Sequence, residues 1–95
     1  MSAHVDEVAL LFKALSSPVR LTVLIHLTSG AHTVRQLVEH LGVSQPLVSQ
    51  HLRVLRAAGL VEATSAGRER RYAITDEHVM HIVKDALQHV AEERG

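Results

Sequence analysis

Cysteine is absent from this 95-residue chain, which excludes disulfides, thiolate metal sites and any thiol redox switch. No apolar run approaches the roughly 20 residues that cross a bilayer, and no secretory signal opens the chain. A cytoplasmic protein with no membrane contact is therefore the expectation. Net charge is also absent: ten Lys and Arg balance ten Asp and Glu, and a neutral total by itself argues against a nucleic-acid binder. Neither a glycine-rich phosphate loop nor a Ser/His/Asp set appears, so no enzyme is expected. At this length the chain forms one domain, residues 1–95, near the size at which a lone core is marginal, which favours a dimer.

The distribution of charge says more than its sum. From Ser44 to Ile74 five Arg face two Glu; from Thr75 to Gly95 two basic residues face five acidic ones and three His. A basic middle and an acidic, histidine-rich end point to two partners, an anion for the first and a cation for the second.

Gly42 to Val61 organises the chain. Ser44 is a suitable N-cap, Pro46 falls in the first turn, and Gly59 closes the helix as a left-handed C-cap residue. At 100° per residue Leu47, Val48, Leu52, Val54 and Leu55 fall on one side. Gln45, Ser49, Arg53 and Arg56 fall on the other, with Gln50 beside them. Such a helix suits a major groove, where Gln and Ser read base edges and Arg reads guanine or phosphate.

The flanks support this reading. Val5 to Leu15 has a helical rhythm in Val5, Val8, Ala9, Leu11, Phe12 and Leu15. Ser17-Pro18 opens a second helix through Leu27, with Val19, Val23, Leu24 and Leu27 apolar. Thr33 to Gln36 is a capping box for a third helix with Leu37, Val38 and Leu41 inward. Gly42-Val43 then makes the turn of a helix-turn-helix unit. After Gly59 the period becomes two: Leu60–Thr64 and Arg70–Ile74 flank a loop, Ser65–Glu69, as a β-hairpin. Arg68 at its tip, with Arg70 and Arg71 behind, makes a basic wing placed to touch the DNA backbone or minor groove. The fold class expected is mainly α with a small β-hairpin: a winged helix-turn-helix of about five helices plus a two-stranded wing.

VSQPLVSQHLRVLRAAGLV followed by GRERRYAIT resembles the winged-helix repressors of the ArsR/SmtB family, and the similarity runs from ALSSPVRLTVL to the last helix. The resemblance implies a homodimeric winged helix with added terminal helices that binds double-stranded operator DNA. Many members carry Ser-His-Gln-Leu in the recognition helix; this chain has Ser49-Gln50-His51-Leu52, which keeps a reading role for Ser49 and Gln50.

The last helix carries the cation signal. Thr75 is its expected cap, Asp76 and Glu77 fill its first turn, and it runs to about Glu92. Val79, Ile82, Val83, Ala86 and Val90 form its apolar stripe, with His78, His81, Asp85, His89 and Glu92 alongside. His78 and His89 share a face but lie roughly 16 Å apart along the axis, too far for one ion at about 2 Å per ligand. Two copies packed antiparallel remove the difficulty, since Asp76 and His78 of one helix then meet His89 and Glu92 of the other. His89 and Glu92 stand at i, i+3, and two-fold symmetry gives two sites per dimer. The pattern Asp-x-His, ten residues, His-x-x-Glu resembles the family's metal site on its C-terminal helix at all four positions. Two imidazoles and two carboxylates suit Zn(II) as effector.

The family's other site uses cysteines where this chain has Thr33 and Arg35, so arsenic, cadmium or lead sensing is not expected. His26, His40 and His51 are read as structural or surface residues. His4 or His81 would raise the coordination number toward six, which would suit Ni(II) or Co(II) instead. A ligand histidine usually bonds a carbonyl with its other nitrogen, and the resemblance suggests that of Gly59. The rival readings are a winged-helix regulator with no metal input and a metal-storage or zinc-enzyme role. Four protein ligands leave no open position for the enzyme.

Overall fold

The computed structural model describes residues 2–94. Their order is α1 Ala3–Leu15, α2 Pro18–Leu27, β1 His32–Thr33, α3 Val34–Leu41, α4 Gln45–Ala57, β2 Val61–Ala66, β3 Glu69–Ile74 and α5 Glu77–Arg94.

Short polar side chains set the helix starts. The Ser17 hydroxyl accepts from the Arg20 N–H at 3.2 Å, with Pro18 in the first turn, where its missing N–H leaves nothing unsatisfied. At α3 the capping box is complete: Thr33 Oγ1 accepts from the Gln36 N–H at 3.2 Å, and Gln36 Oε1 accepts from the Thr33 N–H at 2.9 Å. Ser44 does the same for α4 through the Leu47 N–H at 3.3 Å. Gly42, at φ +69°, turns the chain sharply between α3 and α4. The end of α4 is a Schellman motif: Leu60 N–H reaches the Leu55 carbonyl at 2.9 Å, Gly59 N–H reaches that of Arg56 at 3.0 Å, and Gly59 has φ +74°.

These ends hold three helices around one core. Val23, Leu24 and Leu27 of α2, Leu37 of α3 and Val48, Leu52 and Leu55 of α4 are all buried, with Leu60 and Val61 closing the base. Leu47 is half-buried and Val54 is exposed, so the inward stripe of α4 is narrower than its apolar composition suggests. Positions 48, 52 and 55 repeat at four and three residues and share one line, whereas 47 and 54 lie about a quarter turn or more away from it.

The sheet is three-stranded and antiparallel, in the order β1-β3-β2. The wing is the β2–β3 pair, matched from Val61↔Ile74 to Ala66↔Glu69, and β1 adds His32↔Tyr72 and Thr33↔Arg71. Two expectations are corrected here. The hairpin loop is not Ser65–Glu69 but the two residues Gly67-Arg68, with Gly67 at φ +67°, because a first-position glycine permits a two-residue turn that matches strand twist. The sheet also has one strand more than the two expected, because β1 pairs with β3 ahead of α3.

At the C-terminal end the cap is Asp76, not Thr75. Asp76 Oδ1 accepts from the Val79 N–H at 3.0 Å, and Thr75 is engaged elsewhere. Val79 and Val83 are buried, but Leu87 and Val90 are about half exposed, as are Val5, Val8 and Phe12 on α1. The helical rhythm of α1 is therefore correct, yet most of its apolar residues lack cover within one chain. Among the described residues no single helix is long and apolar enough to cross a membrane, and α1 and α2 are bent 93° against each other.

Candidate nucleic-acid interface and metal-ligand residues

The outward face of α4 carries Gln45, Gln50, Arg53 and Arg56, all exposed, with Ser49 half-buried at its centre. Gln45 Nε2 donates to Ser49 Oγ at 3.0 Å, so one turn of the helix already orders two of its polar side chains. Ser49, Arg53 and Arg56 line a cleft of about 190 Å³ together with Leu52 of the same helix and Arg70 and Tyr72 of β3. Helix and wing thus form one surface, with three guanidinium groups around a polar hollow.

The three wing arginines, alike in sequence, separate in the fold. Side chains alternate across a strand, so Arg70 shares the face of Tyr72 that meets α4. Arg71 lies on the opposite face with Glu69, which pairs with Arg35 at 3.4 Å. Arg68 occupies the exposed turn. Within Ser49-Gln50-His51-Leu52, Gln50 points outward while His51 is half-buried and approaches Arg20 of α2, Nδ1 to Nη1 at 3.4 Å. Arg20 is itself held by donating from Nε to the Ala14 carbonyl at 2.6 Å. His51 therefore belongs to the packing between α2 and α4, the structural one of the two roles, structural or surface, expected for it.

The four residues read as metal ligands lie at the two ends of α5 and all are exposed. Asp76 caps the helix with one carboxylate oxygen, Oδ1. His78 lies in the first turn. Three turns on, His89 Nε2 stands 3.3 Å from Glu93 Oε1, and Glu92 Oε1 accepts from Gln88 Nε2 at 3.0 Å. Among the described residues no three His, Asp or Glu side chains converge on a point that holds an ion. Between the two ends, Val83, Ala86, Leu87 and Val90 line an apolar cleft of about 200 Å³ with Leu21 and Ile25 of α2. His81 is exposed on α5, and His4, distant in sequence on α1, stands 3.9 Å from Glu7.

Two features escaped the sequence reading. Thr75 Oγ1 donates to the Gly59 carbonyl at 2.9 Å, and the Thr75 N–H donates to that of Leu60 at 3.1 Å. The end of α4 is thereby tied to the residue before α5, and the carbonyl expected to meet a histidine holds a threonine. Threonine at a helix start reads as a cap, so the sequence carried no signal of this link. The second feature is a cluster of His26, His32 and His40; burial first, then the neighbouring His40 and His32, hold the His26 imidazole below its ordinary pKa of 6.5.

Residues 17–63 match the family model described as bacterial regulatory protein, arsR family. Over 88 residues the chain is 44% identical to the HTH-type transcriptional repressor SmtB of Mycobacterium tuberculosis, covering 93% of this chain and 65% of that protein. It is 41% identical over 80 residues to a probable mercury resistance operon repressor of Streptomyces lividans, covering 84% of this chain and 64% of that protein. The chain thus spans just under two thirds of the length of these relatives. Among solved structures it is similar to a homodimeric winged helix-turn-helix DNA-binding domain from Mycobacterium bovis, described as a possible ArsR-family transcriptional regulator. The TM-score is 0.85 at 34% identity, over 96% of this chain and 83% of that one. These relatives are described as transcriptional regulators and not enzymes, and the solved structure shares its winged helix-turn-helix fold with this chain. The chain belongs to the ArsR/SmtB family of winged-helix regulators.

Proposed function

We propose that this chain acts in the cytoplasm as a homodimeric transcriptional repressor that binds operator DNA and releases it when Zn(II) occupies sites shared between the two α5 helices. The observation that carries the reading is the cleft where Ser49, Arg53 and Arg56 of α4 meet Arg70 of the wing. In it Ser49 and Gln50 read base edges, Arg53 and Arg56 read guanine or phosphate, and Arg70 and Arg68 hold the backbone. Gln45 orients Ser49. Arg71, on the far face of the wing, has the smallest part.

The residues of α5 fit a zinc ion by their chemistry. Asp76, His78, His89 and Glu92 offer two imidazoles and two carboxylates, and their exposure leaves them open to a second chain. Helical rise separates the two ends by roughly 16 Å, so His78 and Asp76 must complete their set from a partner's His89 and Glu92. The half-exposed Leu87 and Val90, and the uncovered apolar residues of α1, supply surface for that partner. When bound, the ion would supply a cross-link between chains. The bond from Thr75 to the Gly59 carbonyl gives the link onward, because any shift at the start of α5 pulls on the end of the recognition helix. Half-sites on DNA have a fixed spacing, so a small shift costs contacts on both sides. The likeness to a mercury resistance operon repressor supports a metal input of some kind. Further donors, His4 or His81, would raise the coordination number and turn the preference toward Ni(II) or Co(II).

The test begins with DNA selected by the dimer from a random pool and labelled for fluorescence anisotropy. Zinc should weaken binding by roughly 5–150-fold, the usual range of an allosteric coupling. Failure to select any sequence would refute the DNA half; tight binding indifferent to zinc, cobalt and nickel would leave a regulator without a metal input.

A further inference from the structure

His26 in the last turn of α2, His32 in β1 and His40 in the last turn of α3 have no part in the function proposed above. Their ring centres are 4.7 Å apart for His26 and His40, 5.5 Å for His32 and His40, and 6.5 Å for His26 and His32. Three separate elements bring them together. The β1–β3 ladder fixes His32 opposite Tyr72, while α2 and α3 pack through Leu24, Leu27 and Leu37. Three imidazoles around one tetrahedral ion at about 2 Å per nitrogen hold their ring centres roughly 5 Å apart, close to the spacing of the two pairs that include His40.

The hydrogen bonding of His32 adds a second, independent indication. Its Nδ1 lies 2.8 Å from the Gly30 carbonyl. A carbonyl only accepts, so Nδ1 carries the proton and Nε2 keeps its lone pair, the tautomer and support typical of a metal-bound histidine. His26 and His40 are stacked with 11° between their planes, and no ion position is yet formed among the described residues. His40 is exposed, and ion binding would require its ring to leave the stack and turn a nitrogen toward the other two.

We propose that His26, His32 and His40 bind one divalent first-row transition ion of the imidazole-preferring kind, zinc or copper, at a site on each protomer separate from α5. An all-nitrogen donor set does not suit calcium or magnesium, which take oxygen. Because the three ligands come from α2, β1 and α3, an ion at this site ties the helix-turn-helix to the inner edge of the sheet and stabilises the folded chain by mass action.

The experiment uses the purified full chain carrying His78→Ala and His89→Ala, which removes the two imidazoles of the proposed α5 site and leaves His81, and titrates it with zinc by calorimetry. One zinc per protomer is expected to remain. Adding His40→Gln, an exposed change that spares the core, should weaken that binding by more than the roughly 10–100-fold that loss of an outer partner costs. In the same double variant, substoichiometric Cu(II) should broaden the imidazole resonances of His26, His32 and His40 together. No zinc in the double variant, residual zinc indifferent to His40→Gln, or broadening there that spares these three histidines would each overturn the proposal. If instead the unaltered chain binds one zinc per protomer and the α5 changes leave it untouched, this site stands and the α5 site falls.

Discussion

Removal of the Arg70 guanidinium tests how the wing and the recognition helix share DNA. Arg70 lies on the α4 side of β3, lining the cleft with Arg53 and Arg56, whereas Arg71 lies on the other side with Glu69. If Arg70 neutralises one phosphate, Arg70→Ala lowers the slope of log affinity against log salt by roughly 0.9. Between 50 and 200 mM salt, a fourfold change, that slope makes the variant's penalty relative to the parent shrink by roughly 3.5-fold. The loss should be alike for every DNA sequence, since phosphates carry no base information. Arg71→Ala provides the internal control, with a slope close to the parent's. Both are measured by anisotropy at four or more salt concentrations on selected and scrambled DNA. An unchanged slope for Arg70→Ala, or a larger change for Arg71→Ala, would refute the assignment of wing faces.

Three further outcomes follow from the same geometry. Gln50→Ala should change sequence preference, at roughly 1–3 kcal/mol per lost base contact, when affinities are compared across a panel of single-base operator variants; an even loss across the panel would make Gln50 a backbone contact. Thr33→Ala removes one half of the α3 capping box from a buried position and should cost about 1 kcal/mol in urea unfolding, with no change in slope. For His26, burial and the neighbouring His40 and His32 depress the folded-state pKa below 6.5, so the folded chain binds fewer protons than the unfolded one. In metal-free buffer its contribution to stability is complete above about pH 6.5 and is lost as pH falls below that value; His26→Gln should flatten that part of the pH profile, and an unaltered profile would contradict the assignment.

Much of the fold was legible because its signals are local. Ser17, the Thr33 and Gln36 pair and Ser44 mark helix starts with side chains that bond neighbouring backbone, and the glycines at 42 and 59 mark helix ends through left-handed backbone and their own N–H groups. The parts misread depend on distant partners. Thr75 and Asp76 are both good caps; Thr75 loses the role because its hydroxyl is drawn to Gly59, sixteen residues earlier. The wing runs through Ser65-Ala66 and Glu69, residues with little strand preference of their own, because the turn at Gly67 sets their register. Two residues, His32 and Thr33, are too few to show a period, and their strand exists only against β3. The reading face of α4 follows from helical angle alone, but the division between Arg70 and Arg71 needs the strand's alternation and its contact with α4. The histidine cluster had no sequence signal, since its three members lie in separate elements joined only by tertiary packing.

The shared α5 site is tested most directly with a heterodimer, purified through two different tags, in which one chain carries both His78→Ala and His89→Ala. Because each site draws His78 from one chain and His89 from the other, both sites then lack one histidine. The account predicts that this heterodimer binds the selected DNA like the parent in the absence of zinc and stays bound at the zinc concentration that releases the parent. If each chain instead held a complete site of its own, one site would remain whole, and release at the parent's zinc concentration would contradict the account.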